Sequence, residues 1–288
     1  MMTLYVFKKK IQDYYDLHRR SLPWRPFPHK KNIYPISPYM ILVSEIMLQQ
    51  TQVSRIIPKY NLFILHFPNF ESLAKAPLSQ VLKIWQGLGY NRRAVGLKKI
   101  AEIVTHNHNG KLPRDYKTLI SLPCIGPNTA NSILTFAFNI PTVFIETNIR
   151  SVFIYFFFPN IKGGVRDQAL LPLIAQTLDQ KNPREWYYAL MDYGAMLKTT
   201  LRKSTGNPSR KSLTHRPQSR FKGSNRQLRG ALIRLILLNR KVSQKELKKQ
   251  IKKQLPNLFS DEKIDLNLMK LEKEGFIRKT RTGWAVAK

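Results

Sequence analysis

The sequence holds a single cysteine, Cys124, among 288 residues. One thiol excludes an internal disulfide, and it excludes an all-cysteine metal or iron–sulfur site within one chain. The six histidines, His18, His29, His66, His106, His108 and His215, show no metal-ligand spacing and read as surface or packing residues, so no metal is expected. Long hydrophobic runs are missing as well. No apolar stretch approaches the roughly 20 residues needed to cross a bilayer, and the first residues lack the core of a signal peptide. The expectation is a soluble cytoplasmic chain that makes no membrane contact. The apolar run Phe153–Phe158 is too short to span and reads as buried helix or core.

Acidic residues are scarce. Against 17 Asp and Glu stand 49 Lys and Arg, a formal net charge of +32 and a sequence pI near 10.4. That excess is far more than solubility requires, and its field attracts a polyanion, nucleic acid above all. The charge is also uneven. From Tyr193 to Asn225 lie Lys198, Arg202, Lys203, Arg210, Lys211, Arg216, Arg220 and Lys222, with no acid between them. A hydrophobic content of 43% over this length suffices for a sizeable core and for two domains.

The first two hundred residues read as all-α, with apolar positions at three- and four-residue spacing and Pro or Gly at the breaks. The pattern predicts helices over Tyr5–Arg20, Pro38–Val53, Pro58–His66, Leu78–Gln86, Arg92–His106, Tyr116–Ser121 and Asn128–Ala137, with Leu22-Pro23-Trp24-Arg25-Pro26 and a Pro-rich loop after the first. Residues 200–226 change character: Ser, Pro, Gly, Asn and Arg dominate, as in a basic linker or strap. Residues 227–288 then read as a small α+β unit. Its expected helices run over Arg229–Leu238, over Gln244–Leu255 behind a Ser243 cap, and from an Asp261 cap to Glu274. Short strands at 275–279 and 283–286 close it, an arrangement like a winged helix, whose third helix commonly enters a DNA groove. The same shape serves protein interaction elsewhere.

Two stretches carry chemistry. Leu122-Pro123-Cys124-Ile125-Gly126-Pro127-Asn128-Thr129-Ala130 is a tight turn opening a helix, and the N–H groups and dipole at such a helix start suit a phosphate. An ordinary helix–turn–helix packing corner has the same pattern. Glu146-Thr147-Asn148-Ile149-Arg150 follows, with a carboxylate placed either for chemistry on the gripped strand or as a helix cap. Upstream, Glu45 sits among Ile41, Leu42, Ile46, Met47 and Leu48. Partial burial there raises a carboxyl toward the range of a working acid, whereas a surface acid of the helix is the plain alternative.

Ser44-Glu45-Ile46-Met47-Leu48-Gln49-Gln50-Thr51-Gln52-Val53, Gly87-Leu88-Gly89-Tyr90 and the hairpin stretch occur in the order and spacing of the helix-hairpin-helix (HhH-GPD) DNA glycosylase superfamily. With Leu22-Pro23-Trp24-Arg25 before them, they resemble its MutY-type adenine glycosylases over residues 5 to 198. The resemblance implies a two-lobed all-α glycosylase fold at 1–199 with DNA between the lobes, followed by the strap at 200–226 and the winged-helix-like domain at 227–288. It implies a base excision repair enzyme that extrudes adenine opposite 8-oxoguanine or guanine and cleaves its N-glycosidic bond, working as a monomer on double-stranded DNA carrying a mismatched or damaged base, nucleoid-associated in a bacterium. A thymine or uracil mismatch glycosylase and a non-catalytic binder of distorted DNA are the alternatives.

Adenine leaves poorly unless a ring nitrogen is protonated, and the sugar gains positive charge as the bond breaks, so two carboxylates are wanted. By resemblance Glu45 is the base-side acid, Glu146 stands where the family usually has aspartate, and Asn148 orients Glu146 or a water. Gln49, Gln50 and Thr51 lie along the duplex and Tyr90 wedges beside the opposite base, although Tyr90 also fits a core aromatic. Gly126, Asn128 and Thr129 belong to the DNA-gripping hairpin. Asn128 replaces the lysine of the strand-cleaving relatives, which predicts base loss without nicking. Asp192 matches a family acid near the site or serves a structural ion pair. The departures are Lys198 where the first cluster cysteine belongs, so that the four cluster ligands are absent and no cofactor is expected, Cys124 in place of the first hairpin glycine, and the winged-helix-like end in place of the usual lesion-checking domain.

Overall fold

In a computed structural model of the protein the described residues are 2–25, 37–201, 204, 206–239 and 241–287. The Pro-rich loop, with Pro26 and His29, and the strap residues Arg202 and Lys203 lie outside them. The chain forms two compact units, each assembled from two separate segments: Met1–Glu45 with Arg114–Pro217, and Ile46–Pro113 with Gln218–Lys288. Among the described residues no helix is long and apolar enough to cross a membrane.

The first unit is helical. Helix α1 (Leu4–His18) starts where the Thr3 side chain accepts from the Val6 N–H at 3.3 Å, and it buries Phe7, Ile11 and Tyr15, one face at four-residue spacing. The unit also contains the start of α2 (Pro38–Leu48), then α7 (Tyr116–Ser121), α8 (Pro127–Phe138), α9 (Thr147–Phe157), α10 (Asp167–Thr177) and α11 (Pro183–Thr200). The Phe run lies on α9, where Phe153 and Phe157 pack on Phe7 with ring centroids 5.1 and 5.0 Å apart. Phe7 and Phe153 are fully buried and each contributes about 1.5–3 kcal/mol, whereas Phe157 is half-buried. Part of the basic segment belongs to this core: a 3-10 turn at Pro208–Lys211 packs on α9, Pro208, Ser209 and Ser212 are buried, and Ser151 Oγ donates to Asn207 Oδ1 at 3.0 Å.

The second unit takes the end of α2, then α3 (Val53–His66), α4 (Phe70–Lys75), α5 (Leu78–Trp85), α6 (Arg92–Asn107), α12 (Asn225–Asn239), α13 (Gln244–Gln254) and α14 (Asp261–Lys273). Antiparallel strands β1 (Ile277–Thr280) and β2 (Gly283–Val286) follow, in register Ile277 to Val286, with Trp284 also bridging Val242. Three helices and a hairpin are thus the C-terminal architecture, as the sequence predicts. Three local expectations need correction, and four helices, α4, α9, α10 and α11, lie beyond those that the sequence pattern predicts. Helix α2 stops at Leu48 rather than Val53, because Gln50 adopts φ 55° and breaks it. Helix α3 begins at Val53 and carries Pro58 inside rather than at its start. Helix α4 escaped the sequence pattern because six residues show no period, although its Asn69–Ser72 capping box was there to read. Helix α14 is capped by Ser260, which accepts from Lys263 N–H at 3.3 Å, so Asp261 is its first residue rather than its cap.

Candidate active site

Glu45 lies on α2, partly open to solvent and flanked by the buried Ile41, Leu42, Ile46 and Met47. Ser132 Oγ, on α8, lies 2.5 Å from Glu45 Oε2 and donates to it, and the same oxygen is 3.0 Å from the Thr129 carbonyl. Loss of solvation pushes the Glu45 carboxyl up to about 7; the charge of Glu146 adds to this, while the Ser132 hydroxyl and the Arg25 guanidinium oppose it. Near neutrality this group therefore holds or releases a proton readily. The two carboxylates foreseen from sequence are accordingly within electrostatic reach of each other.

Glu146 is the N-cap of α9. Its Oε1 accepts from the N–H groups of Asn148 at 2.9 Å and Ile149 at 3.0 Å, while Asn148 Nδ2 reaches Oε2 at 3.3 Å. Burial raises this carboxyl too, against those N–H groups and the charge of Arg150. Asn148 thus fixes the orientation of the capping carboxylate. The position of α9 depends in turn on Gly194 of α11: a Cβ there would collide with the backbone of Asn148.

Arg25 and Asp192 form a buried ion pair, Nη1 to both carboxylate oxygens at 2.9 Å, and Arg20 adds Nε to Oδ1 at 2.7 Å. Asp192 therefore takes the structural alternative. The guanidinium of Arg25 lies 4.3 Å from the Tyr188 ring centroid, and the Tyr188 hydroxyl has no partner among the described residues. Sequence reasoning missed Ser132, Tyr188 and the role of Arg25. Ser132 lay beyond local reading, because its contact with Glu45 joins residues 87 apart.

The hairpin runs α7, turn, α8. Gly126 caps α8 without a side-chain partner, and Gly126 and Asn128 are exposed, with Thr129 half-buried. Cys124 sits at φ 61°, so the cysteine occupies a conformation that glycine would adopt without strain. Within the second unit, Arg93 donates to the carbonyls of Ile46, Met47 and Gln49 and to Thr51 Oγ1, tying together the turn that carries Gln49, Gln50 and Thr51. Tyr90 is half-buried, not a core residue, and with Gln49, Gln50, Arg226, Arg229 and others it lines a cavity of about 430 Å³.

The second helix of the hairpin thus reaches one carboxyl, and a second carboxylate caps a neighbouring helix, the arrangement that the sequence motifs predict. Comparison agrees: residues 43–171 match the profile of the HhH-GPD superfamily base excision DNA repair proteins. An adenine DNA glycosylase of Buchnera aphidicola subsp. Baizongia pistaciae is 38% identical over 197 residues, 68% of this chain and 54% of that protein. Another, of Mycolicibacterium smegmatis, is 32% identical over 245 residues, 78% of each. The chain belongs to the HhH-GPD superfamily, and its matched relatives there are adenine DNA glycosylases. Among solved structures, a thermostable thymine-DNA glycosylase is 27% identical with a TM-score of 0.56, covering 67% of this chain and 86% of that one. A trapped endonuclease III–DNA covalent intermediate, 17% identical at a TM-score of 0.52 over 72% and 91%, shares the fold. The chain spans about half the length of the Buchnera relatives. One cysteine cannot supply the four ligands of the cluster that the resemblance implied, so the residues present do not fit that group.

Proposed function

We propose that this chain is a monofunctional DNA glycosylase that hydrolyses the N-glycosidic bond of adenine mispaired with 8-oxoguanine or guanine in duplex DNA, acting as a cytoplasmic monomer. The observation that carries this reading is Glu45, held by Ser132 of the hairpin's second helix and within electrostatic reach of Glu146, with its carboxyl raised to about 7 by burial. With the nucleotide extruded, Glu45 gives its proton to a ring nitrogen of adenine, and the sugar–base bond breaks with its electron pair on the base. Glu146 faces the positive charge that develops on the sugar. A water oxygen adds to C1′ and its proton passes to the Glu146 carboxylate, leaving free adenine and an abasic site, and proton exchange with solvent then returns both carboxyls to their starting states.

Asn148 orients Glu146. The unpartnered Tyr188 hydroxyl, beside Arg25, is available to the edge of the extruded base. Asn128 brings no amine, so no imine to the sugar forms and the strand stays intact. The exposed start of α8, with Gly126, Asn128 and Thr129, suits a phosphate, and Gln49, Gln50, Thr51 and Tyr90 suit base edges. The domain partition at 1–199, 200–226 and 227–288 belongs to this proposal, the last segment adding DNA contact.

The test is product analysis on duplexes carrying adenine opposite 8-oxoguanine, adenine opposite guanine, thymine opposite guanine and uracil opposite guanine, with Glu45→Gln as control. Adenine release from the first two, abolished in the variant, is the expected result. Release of thymine or uracil instead assigns the mismatch activity, and tight binding without any release assigns a binding protein.

A further inference from the structure

The loop that carries Tyr90 is conformationally costly. Gly87 and Gly89 take φ 91° and 72°, and two residues that are not glycine, Gln50 and Tyr90, take 55° and 47°. Each non-glycine residue in this region costs about 1–2 kcal/mol, and it persists only where the surroundings hold it. At Tyr90 the holding groups come from the C-terminal segment. Its phenol oxygen accepts from Arg226 Nη1 at 2.6 Å and from Gln218 Nε2 at 2.6 Å. The Arg226 guanidinium carbon lies 5.3 Å from the Tyr90 ring centroid and that of Arg93 lies 5.6 Å away. Arg226 Nη2 also donates to the Ser219 carbonyl at 3.2 Å.

The other arginine of α12 at the cavity is engaged differently. Glu274 pairs with Arg229 at 2.6 Å and with Arg92 at 2.8 Å, whereas Arg226 has no carboxylate partner among the described residues. The cavity therefore sets the Arg226 guanidinium against an aromatic ring and near two glutamine side chains. An aromatic face, amide groups and a guanidinium suit a purine, whose ring stacks and whose O6 and N7 edge accepts hydrogen bonds.

We infer that Arg226 and Gln218 are positioning residues that clamp Tyr90 beside the purine opposite the extruded nucleotide, so that the C-terminal segment takes part in selecting the partner base. This rests on the glycosylase reading for its biological setting, but not for its test. Affinity is measured for full-length protein on duplexes bearing a non-hydrolysable abasic analogue opposite guanine or opposite cytosine, which needs no catalysis. Tyr90→Phe and Arg226→Met are each expected to weaken binding opposite guanine about tenfold, the worth of one hydrogen bond to a charged group. The double variant is expected to lose about tenfold rather than about a hundredfold, because both changes break one interaction. Gln218→Ala and Arg226→Met are expected to reduce the preference for guanine over cytosine, and Arg226→Lys, which keeps a donor, to restore it in part. Independent, multiplying losses, or unchanged affinity and preference in variants whose melting temperature matches the parent, would overturn the clamp. Failure of adenine release in the parent would overturn the glycosylase reading alone.

Discussion

Ser132 and Glu45 share one proton's worth of hydrogen bonding. The hydroxyl lies within reach of both the Glu45 carboxylate and the Thr129 carbonyl, so it can donate to the first when Glu45 is ionised and to the second when Glu45 is protonated. A donor that favours the charged form lowers a carboxyl pKa. Ser132→Ala is therefore expected to move the falling limb of the pH–rate profile upward, from near 7 by about one to two pH units. An unmoved limb in single-turnover kinetics would separate Ser132 from the proton transfer.

Glu45 is a cost to the fold at neutral pH. Its carboxyl is raised from 4.5 to about 7, so the stability associated with its neutral form is full below 4.5 and is lost as pH rises through 7. Glu45→Gln is expected to abolish base release yet raise stability at pH 8 by up to about 3 kcal/mol, with little gain at pH 4. Denaturant unfolding at the two pH values checks this.

Asn128 stands one helical turn before Ser132, and so on the face of α8 that reaches Glu45. Asn128→Lys is expected to place an amine at the sugar and give strand nicking, with a borohydride-trapped protein–DNA adduct on denaturing gels. No adduct at high pH, where the amine is neutral, would mean the side chain points elsewhere in the complex.

Cys124 is held at φ 61° on an exposed turn. Cys124→Gly is expected to stabilise the chain by about 0.5–1 kcal/mol, the left-handed penalty less the entropy of glycine, read as a raised melting temperature.

The exposed basic face of the C-terminal helices is on α13, where Lys245, Lys249 and Lys253 recur at four-residue spacing. The α14 acids are largely tied up, Asp261 with Lys252 at 2.6 Å and Asp265 with Lys248 at 2.8 Å. Changing Lys245, Lys249 and Lys253 together to Glu is expected to flatten the salt dependence of DNA affinity by about two to three in logarithmic slope. The pair Lys270→Glu and Lys273→Glu on α14 is expected to change it less. The reverse ranking would restore the third helix as the groove-facing element.

Apart from α4, the helices before residue 139, those after 224 and the hairpin were legible because each writes itself in local sequence, as a 3.6-residue apolar period or a Pro/Gly turn, whereas α9, α10 and α11 lie beyond the predicted helices. Where the sequence misled, the cause was non-local or conformational. Gln50 ends α2 through a backbone torsion that its side chain does not announce. Pro58 looks like a helix start but is tolerated inside α3. The buried pairing of Asp192 with Arg25 joins residues 167 apart, and Ser132 acquires meaning only once α8 is laid against Glu45. The hold of Arg226 on Tyr90 spans 136 residues and leaves no periodic trace.

At Gly194 the protein has left out a side chain, and the omission sets a length. Two helices meet there with nothing between them, so the reach of the acid at the tip of α9 is gauged by the bare thickness of a neighbouring backbone. Even a methyl group inserted at that crossing would meet the Asn148 backbone and shift the acid that Asn148 holds, without touching it.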